Sequence, residues 1–459
     1  MLLKNCTLLT FLPSAIEKAD LRIENGFIVE RKKNLVPKRN EEVINLEGKY
    51  ILPGLVNAHT HLYSTLARGM RAPRKQPKNF LEILQLIWWK LDRALDDESI
   101  YYSALAGAIE AAQCGTTTLV DHHASPKAIK GSLDIIKQAL EEVGLRGMLC
   151  YEVTDRGGMK ERDAGLLENE RFISTNRNNT MCRGLVGAHA SFTLGNESLR
   201  LLGEMAERTN SGVHIHVAED TSDCIDAEEN YRCSVIERLE KNHILRRDSI
   251  LAHCIHLGRP EIKNVQKHRS WFVHNPRSNM NNFVGHAPVH LLGERVALGT
   301  DGFPADMFEE ARTGFFKNRD MRYEIWDVGK KFQVSGFKSQ GKMLEGRGSK
   351  FEKEQIHDVN LVGLLQGGQR LVSEIFKQDF GGLEKGSLAD LLVLDYQSPT
   401  PMTKENLGGH FLFGMRSSMV ESVMVNGKWI VWNRELPGVD VQSVIEKSAK
   451  IAKRLWEKM

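Results

Sequence analysis

Between Pro53 and Gly302 the chain keeps returning to one texture: a short apolar run, then a segment with helical spacing. The runs include TTTLVD, GLRGMLCYEV, RGLVGAHASFTL, SGVHIHVAED, SILAHCIHL, WFVHN and RVALGTDG. Runs of this length between helical segments read as strands buried on both faces, the signature of a parallel sheet. The helical segments DESIYYSALAGAIEAAQCG, SLDIIKQALEEVG and SLRLLGEMAERTNSG all close on Gly, and the first and last open on an acid or Ser. About this many βα units argues for a closed (β/α)8 barrel of the TIM type, with an open doubly wound sheet as the competing arrangement.

The two chain ends differ from this middle. Residues 1–52 hold LLTFL, LRIENGFIVE and EEVINLEGKYILP, which are β-favouring runs separated by turns. From about residue 380 the same texture returns in GGLEKGSLADLLVLDY and VESVMVNGKWIVWNRELP, where Asn426-Gly427 signals a hairpin. The expected organisation is a composite β-sandwich from residues 1–52 and 380–435, a barrel over 53–379, and an amphipathic helix over 436–459. The charged stretch 316–360, with GKMLEGRGSKFEKEQ, reads as a lid or a solvated loop.

Composition narrows the partners. The net charge of +3, from 62 basic and 59 acidic residues, creates no field suited to nucleic acid or an anionic membrane. A small molecule is therefore the expected partner, and a symmetric homodimer the default assembly. Lys4 and Asn5 interrupt the N-terminal apolar run, so MLLKNCTLLTFLP reads as a strand and not a signal peptide. Seven scattered cysteines with no CxxC pair fit a reducing, cytoplasmic compartment.

Several apolar runs end on groups that bind metals or move protons. In PGLVNAHTHLYS, His59 and His61 sit two residues apart and so project from one strand face. In VHIHVAED, His214 and His216 share a face opposite Val213, Ile215 and Val217. His216 is nearer the C-terminal end, where barrel active sites form, and Glu219 follows on the loop. That order favours His216 as a ligand and His214, one layer deeper, as a supporting or packing residue. LAHCIHLG contributes His253 and His256, and VALGTDG ends on Asp301. Three imidazoles and one carboxylate suit zinc or ferrous iron and leave a position for water. Neither an HExxH helix nor the PCxxC of cysteine-ligated deaminases occurs. Trp88 or Trp89 could stack a flat ring, Arg68 and Arg277 with Ser278 and Asn279 offer hydrogen-bond donors, and one histidine of the His122-His123 pair, His123 being the candidate, should face the site.

The strings PGLVNAHTH, HVAE, LAHC, LGTDG and GSLADLLVLD resemble the amidohydrolase superfamily from about residue 1 to 435. Within it, WWKLDRALDDES, DHHASP, GAHASFT, HNPRSNMNN, DMFEEAR and SPTP are most similar to the SsnA-type aminohydrolases, relatives of guanine deaminase and chlorotriazine hydrolases. The resemblance implies a barrel beside a composite β-sandwich, with His59, His61, His216 and Asp301 as ligands of one divalent ion and Glu219 and His253 as catalytic groups. His189 stands where binuclear members carry a bridging lysine, which implies a mononuclear site and a histidine that contacts substrate.

The implied reaction is hydrolytic deamination of an aminated, purine-like heterocycle. The metal would bring the pKa of bound water to about 7. Glu219 would shuttle the proton to a ring nitrogen, His253, hydrogen-bonded to the attacking water or the developing oxygen, would stabilise charge in the tetrahedral intermediate, and Asp301 would return a proton to departing ammonia. Two alternatives remain at this stage: hydrolysis of another C–N or C–Cl bond, as in a cyclic amide or chloro-heterocycle, and a metal-stabilised binding protein without catalysis.

Overall fold

The computed structural model describes residues 1–334 and 361–459, with side chains outside 321–362. GKMLEGRGSKFEKEQ, the centre of the expected lid or loop, lies outside the described residues. The stretch before it is helical, as the end of Met307–Val334.

Eight parallel barrel strands follow one another in the middle of the chain: β1 (Leu55–Thr60), β2 (Thr116–His123), β3 (Arg146–Tyr151), β4 (Val186–Ala190), β5 (Val213–Val217), β6 (Ile250–His253), β7 (Trp271–His274) and β8 (Val296–Leu298). They form two ladders. One runs β1-β2-β3 and ends on the short strand Cys182–Gly184, and the other runs from β4 to β8. No continuous ladder spans the two seams. At one, the chain pairs with β3 over Cys182–Gly184, then passes Leu185 and pairs with β5 over Val186–Ala190, with a single bridge from Ala188 back to Val153. At the other, Thr60 bridges Asp301, and the Thr300 and Asp301 amides donate to the His59 carbonyl. Gly187 is needed at the first seam, because a Cβ there would stand 2.2 Å from the Tyr151 carbonyl oxygen.

Every residue of β1 to β8 is buried, as sequence texture demands of parallel strands. Alternate residues divide between two cores: Val56, Ala58, Val120, Met148, Ile250 and Val273 belong to one, whereas Leu119, Leu149, Ile215, Leu251 and Phe272 join helical residues such as Ala108, Ile136 and Leu202 in the other. Helix ends are chemically specified. Asp96 caps Asp97–Gln113 in a reciprocal box with Ser99, and Gly144 ends Ser132–Val143 in the left-handed region at φ 88°. Asn196–Thr209 departs from the expected Gly stop and ends on left-handed Asn210, and no side chain caps its start. Gly212 serves instead to let the chain pass Asp248, whose carbonyl oxygen would lie 1.9 Å from an added Cβ.

Both chain ends enter one eight-stranded sheet, in which Leu2–Phe11, Ser14–Glu24 and Phe27–Lys32 are joined through Tyr50–Pro53 to Leu391–Leu394, Val420–Val425 and Lys428–Val431. The sheet branches at Leu2–Phe11, which pairs with both Val43–Asn45 and Tyr50–Pro53. The strands from the two chain ends share a core of Leu3, Leu21, Ile51, Leu391, Val393 and Met424. Asn426 and Gly427 both take positive φ, 50° and 73°, as a two-residue hairpin requires. At the floor of the barrel the buried Arg146 guanidinium pairs with Asp390 at 2.9 Å, tying β3 to this sheet. The closing helix Val441–Glu457 packs on Asp97–Gln113. Among the described residues no helix is long and apolar enough to cross a membrane.

Candidate active site and metal centre

The C-terminal ends of the strands open into a cavity of about 530 Å³. His59 arrives on β1, His61 directly after it, His216 on β5, and Asp301 just beyond β8, and one donor atom from each lies within 4.8 Å of the others. Around them the backbone is bent into the left-handed region at non-glycine residues: Ala218 (φ 45°), His253 (φ 72°), Cys254 (φ 52°) and Asp301 (φ 54°). Such conformations cost of order 1–3 kcal/mol each and persist where the surroundings dictate them, commonly at functional sites.

The proton positions can be read from the partners. His61 Nδ1 lies 2.6 Å from the His122 carbonyl, which can only accept, so Nδ1 carries a proton. His61 Nε2 then faces His216 Nε2 at 3.2 Å and Asp301 Oδ1 at 2.9 Å. His59 Nδ1 contacts His214 Nε2 at 2.8 Å, while its Nε2 is buried with no hydrogen-bond partner, 3.5 Å from Asp301 Oδ1. Lone pairs and a carboxylate so gathered repel one another unless a cation joins them. Burial opposes a charge on His61, but Asp301 draws its pKa up to about 9, so the cluster favours a positive charge at this point. The donor set equally fits a divalent ion, since His59 and His61 each keep the second nitrogen occupied and Ser278 Oγ donates to the other oxygen of Asp301. His214 lies one layer beneath, as its place in the strand implies.

Glu219 and His253 adjoin this cluster. His253 Nδ1 contacts Asn279 Oδ1 at 2.8 Å, leaving Nε2 bare and 3.6 Å from Glu219 Oε2. Burial, and then the nearby Asp301 charge, hold the Glu219 carboxyl well above the usual range. Asn282 donates to its other oxygen at 3.4 Å. Burial would raise Asp301 as well, but His59 and His61 hold it well below its ordinary value.

Of the expected substrate contacts, His189, Trp88 and Arg68 line the cavity, and so does Trp89. Arg68 is a rim residue, paired with Glu110 at 2.8 Å. Three expectations are corrected. His123 does not reach the cavity: it is buried against Tyr63 and Tyr151, with Nε2 on Ser125. Its neighbour His122 is the one turned toward the cluster, its ring centroid 4.7 Å from that of His216. Arg277 is spent on structure, bonding Glu309, the fully buried Glu310 and the Pro304 carbonyl. Asn279 touches His253 and is absent from the cavity lining, where Ser278 stands instead. His256 likewise holds the Val284 carbonyl and takes no part in the cluster.

The largest omission is Glu152. It directly follows β3, is 3% exposed, and lies 3.2 Å from His122 Nδ1 and 3.5 Å from Arg156, which reaches on to Asp92 at 3.0 Å. Burial would raise Glu152, yet His122 and Arg156 beside it keep it below the usual carboxylate range, while burial pushes His189 down to about 3 and so leaves that imidazole neutral. Asp92 is pushed up to about 7, chiefly by burial. The rule that singled out Asp301, a carboxylate ending an apolar strand, applies equally to Glu152 in GMLCYEV.

A parallel-stranded barrel with three imidazoles and a carboxylate converging at its C-terminal mouth defines the class of metal-dependent barrel hydrolases. The chain belongs to the amidohydrolase family, whose profile matches residues 50–334. It is 28% identical over 471 residues to a 5-methylthioadenosine/S-adenosylhomocysteine deaminase of Caldanaerobacter subterraneus, covering 99% of this chain and 98% of the relative. It is 27% identical to a 5'-deoxyadenosine deaminase of Methanobrevibacter smithii, covering 100% and 98%. In structure it resembles a zinc-bound adenosine deaminase of Xanthomonas campestris with a TM-score of 0.81 at 19% identity, over 99% and 98% of the two chains.

Proposed function

We propose that this protein hydrolytically deaminates an aminated heterocycle, with His59, His61, His216 and Asp301 holding one divalent ion. The carrying observation is that a carboxylate side chain, Glu219, and a bare imidazole nitrogen, His253 Nε2, meet Asp301 within 4.8 Å beside the donor cluster and under an aromatic-walled cavity. The deaminase names of full-length relatives support the same reading. Zinc is the proposed ion, in line with the zinc-bound neighbour. When bound, such an ion acts as a Lewis acid and brings the pKa of water to about 7.

The chain's own groups do the rest. His253, oriented by Asn279, accepts a hydrogen bond from the attacking water through Nε2. Glu219, whose burial makes proton uptake favourable, takes the water proton and delivers it to the ring nitrogen beside the amino-bearing carbon. Asp301 Oδ1 receives the second proton and returns it to departing ammonia, while Ser278 holds its other oxygen. Trp88, Trp89 and Phe192 provide flat, apolar walls for a small heterocycle and limit water.

The test is ammonia release from purines, pterins, pyrimidines and triazines by metal-loaded protein, with Glu219→Ala alongside. The variant should release none while binding about one metal ion per chain. Full activity in the variant would overturn the assigned proton path.

A further inference from the structure

Glu152 and His189 face the cavity side by side, on the side of the cluster away from Glu219, and donor atoms of Glu152, His189 and His216 lie within 4.8 Å of one another. The tautomer of His189 follows from its neighbours. Thr193 Oγ1 has one proton, and the Ala190 carbonyl 3.0 Å away can only accept it. Thr193 Oγ1 must therefore accept from His189 Nδ1, 2.8 Å distant. His189 Nε2 is left with a bare lone pair and, among the described residues, no hydrogen-bond partner. Glu152, whose oxygens face His122 Nδ1 at 3.2 Å and Arg156 at 3.5 Å, presents carboxylate acceptors as well. These two side chains thus form a wall that presents acceptors beside the reacting centre.

We propose that Glu152 and His189 make this site selective for heterocycles that turn a ring N–H toward them, the lactam type found in guanine and pterin, over rings whose nitrogen there carries only a lone pair. The proposal rests on the deaminase reading for its reaction, but the wall acts at the level of binding. A lone-pair nitrogen placed there meets a carboxylate and an imidazole lone pair, and buried polar groups left unpaired are the strongest source of discrimination a pocket has. Glu152 is in this reading a specificity residue that touches substrate, and His189 acts beside it as a second acceptor.

Matched pairs isolate the ring N–H. Guanine and 2-aminopurine carry the same 2-amino group, as do pterin and 2-aminopteridine, but only the first of each pair is a lactam. With the metal-loaded protein, kcat/KM for ammonia release should favour the lactam by at least about 100-fold. Glu152→Gln, which adds an amide donor to the wall, should shrink that ratio at least about tenfold. Equal rates, or preference for the lone-pair partner, would overturn the proposal while leaving the deaminase reading intact. If no ring releases ammonia, the deaminase reading fails, and equilibrium dialysis of the same pairs decides the wall: tighter lactam binding sustains it, and equal binding overturns it.

Discussion

Removing the charge of Arg146 gives a sharp test of how the barrel is fixed to the end sheet. Arg146 is fully buried and Asp390 nearly so, and a 2.9 Å contact joins them. Two of the three guanidinium nitrogens have no hydrogen-bond partner, although the group stacks 4.8 Å from the centre of Phe380. Asp390 has one further partner, the Asn426 amide at 2.7 Å. Arg146→Met keeps apolar volume but strands a buried carboxylate, a loss on the order of 3–5 kcal/mol. With an unfolding entropy of about 2 cal/mol/K per residue, this 459-residue chain should lose about 3–5 °C in Tm. Burial already pushes the Asp390 carboxyl up, with Arg146 opposing. Without Arg146 it rises further, so the penalty should be larger at pH 8, where ionisation is forced, than at pH 5. The double variant Arg146→Met/Asp390→Asn leaves no stranded charge and should cost well under the sum of the single losses. Thermal unfolding followed by circular dichroism at a fixed scan rate reads all of these. A single-variant loss below about 1 °C, or one independent of pH, would refute the claim that this pair is a charged clamp.

Other outcomes follow from the site and its surroundings. Asn279→Ala frees His253 to rotate and should lower kcat about tenfold or more with metal content unchanged, measured by steady-state ammonia release and elemental analysis. Asp121 is fully buried, accepts the Leu62 amide with one oxygen, leaves the other unpartnered, and is pushed up to about 7 by burial. Between roughly pH 4 and 7 the native state keeps a proton that the unfolded chain has lost, so native stability falls as pH rises across that window. Asp121→Asn should therefore gain on the wild type with rising pH, by at most about 4 kcal/mol, in urea melts at pH 5 and 8. Chelation should abolish ammonia release and lower Tm, because an ion held at 1,000 times its Kd adds about 4 kcal/mol, and added zinc should restore both.

Much of the barrel was legible because burial on both faces leaves a strand few residue types, and because histidines two apart in a strand must share a face. The pairs His59 with His61 and His214 with His216 were singled out that way, Asp301 by its place after an apolar run, and the ligand set by family resemblance. The failures have equally physical causes. Alternation says that His122 and His123 face opposite ways but not which faces inward. An arginine is read by its partner, and the fold brings Glu310 to Arg277 from 33 residues away. Trp88 ends a wide helical turn over Leu84–Trp88 and Trp89 follows it, and both line the cavity, so choosing between them had no answer. Glu152 was in view at a strand end but lacked a neighbouring histidine in sequence to draw attention.

The seams of the barrel bear on how the metal site keeps its dimensions. His59 and His61 belong to the strands on one side of a seam, and His216 to those on the other. Asp301 sits on the bridge itself, with Thr60 Oγ1 donating to its carbonyl at 3.1 Å. The gap between imidazole and carboxylate is therefore set by how two half-shells are clasped and not by the stiffness of either. An ion seated there would behave as a rivet through two plates, and a change at Thr60 that never touched the ion would still alter the width of its seat.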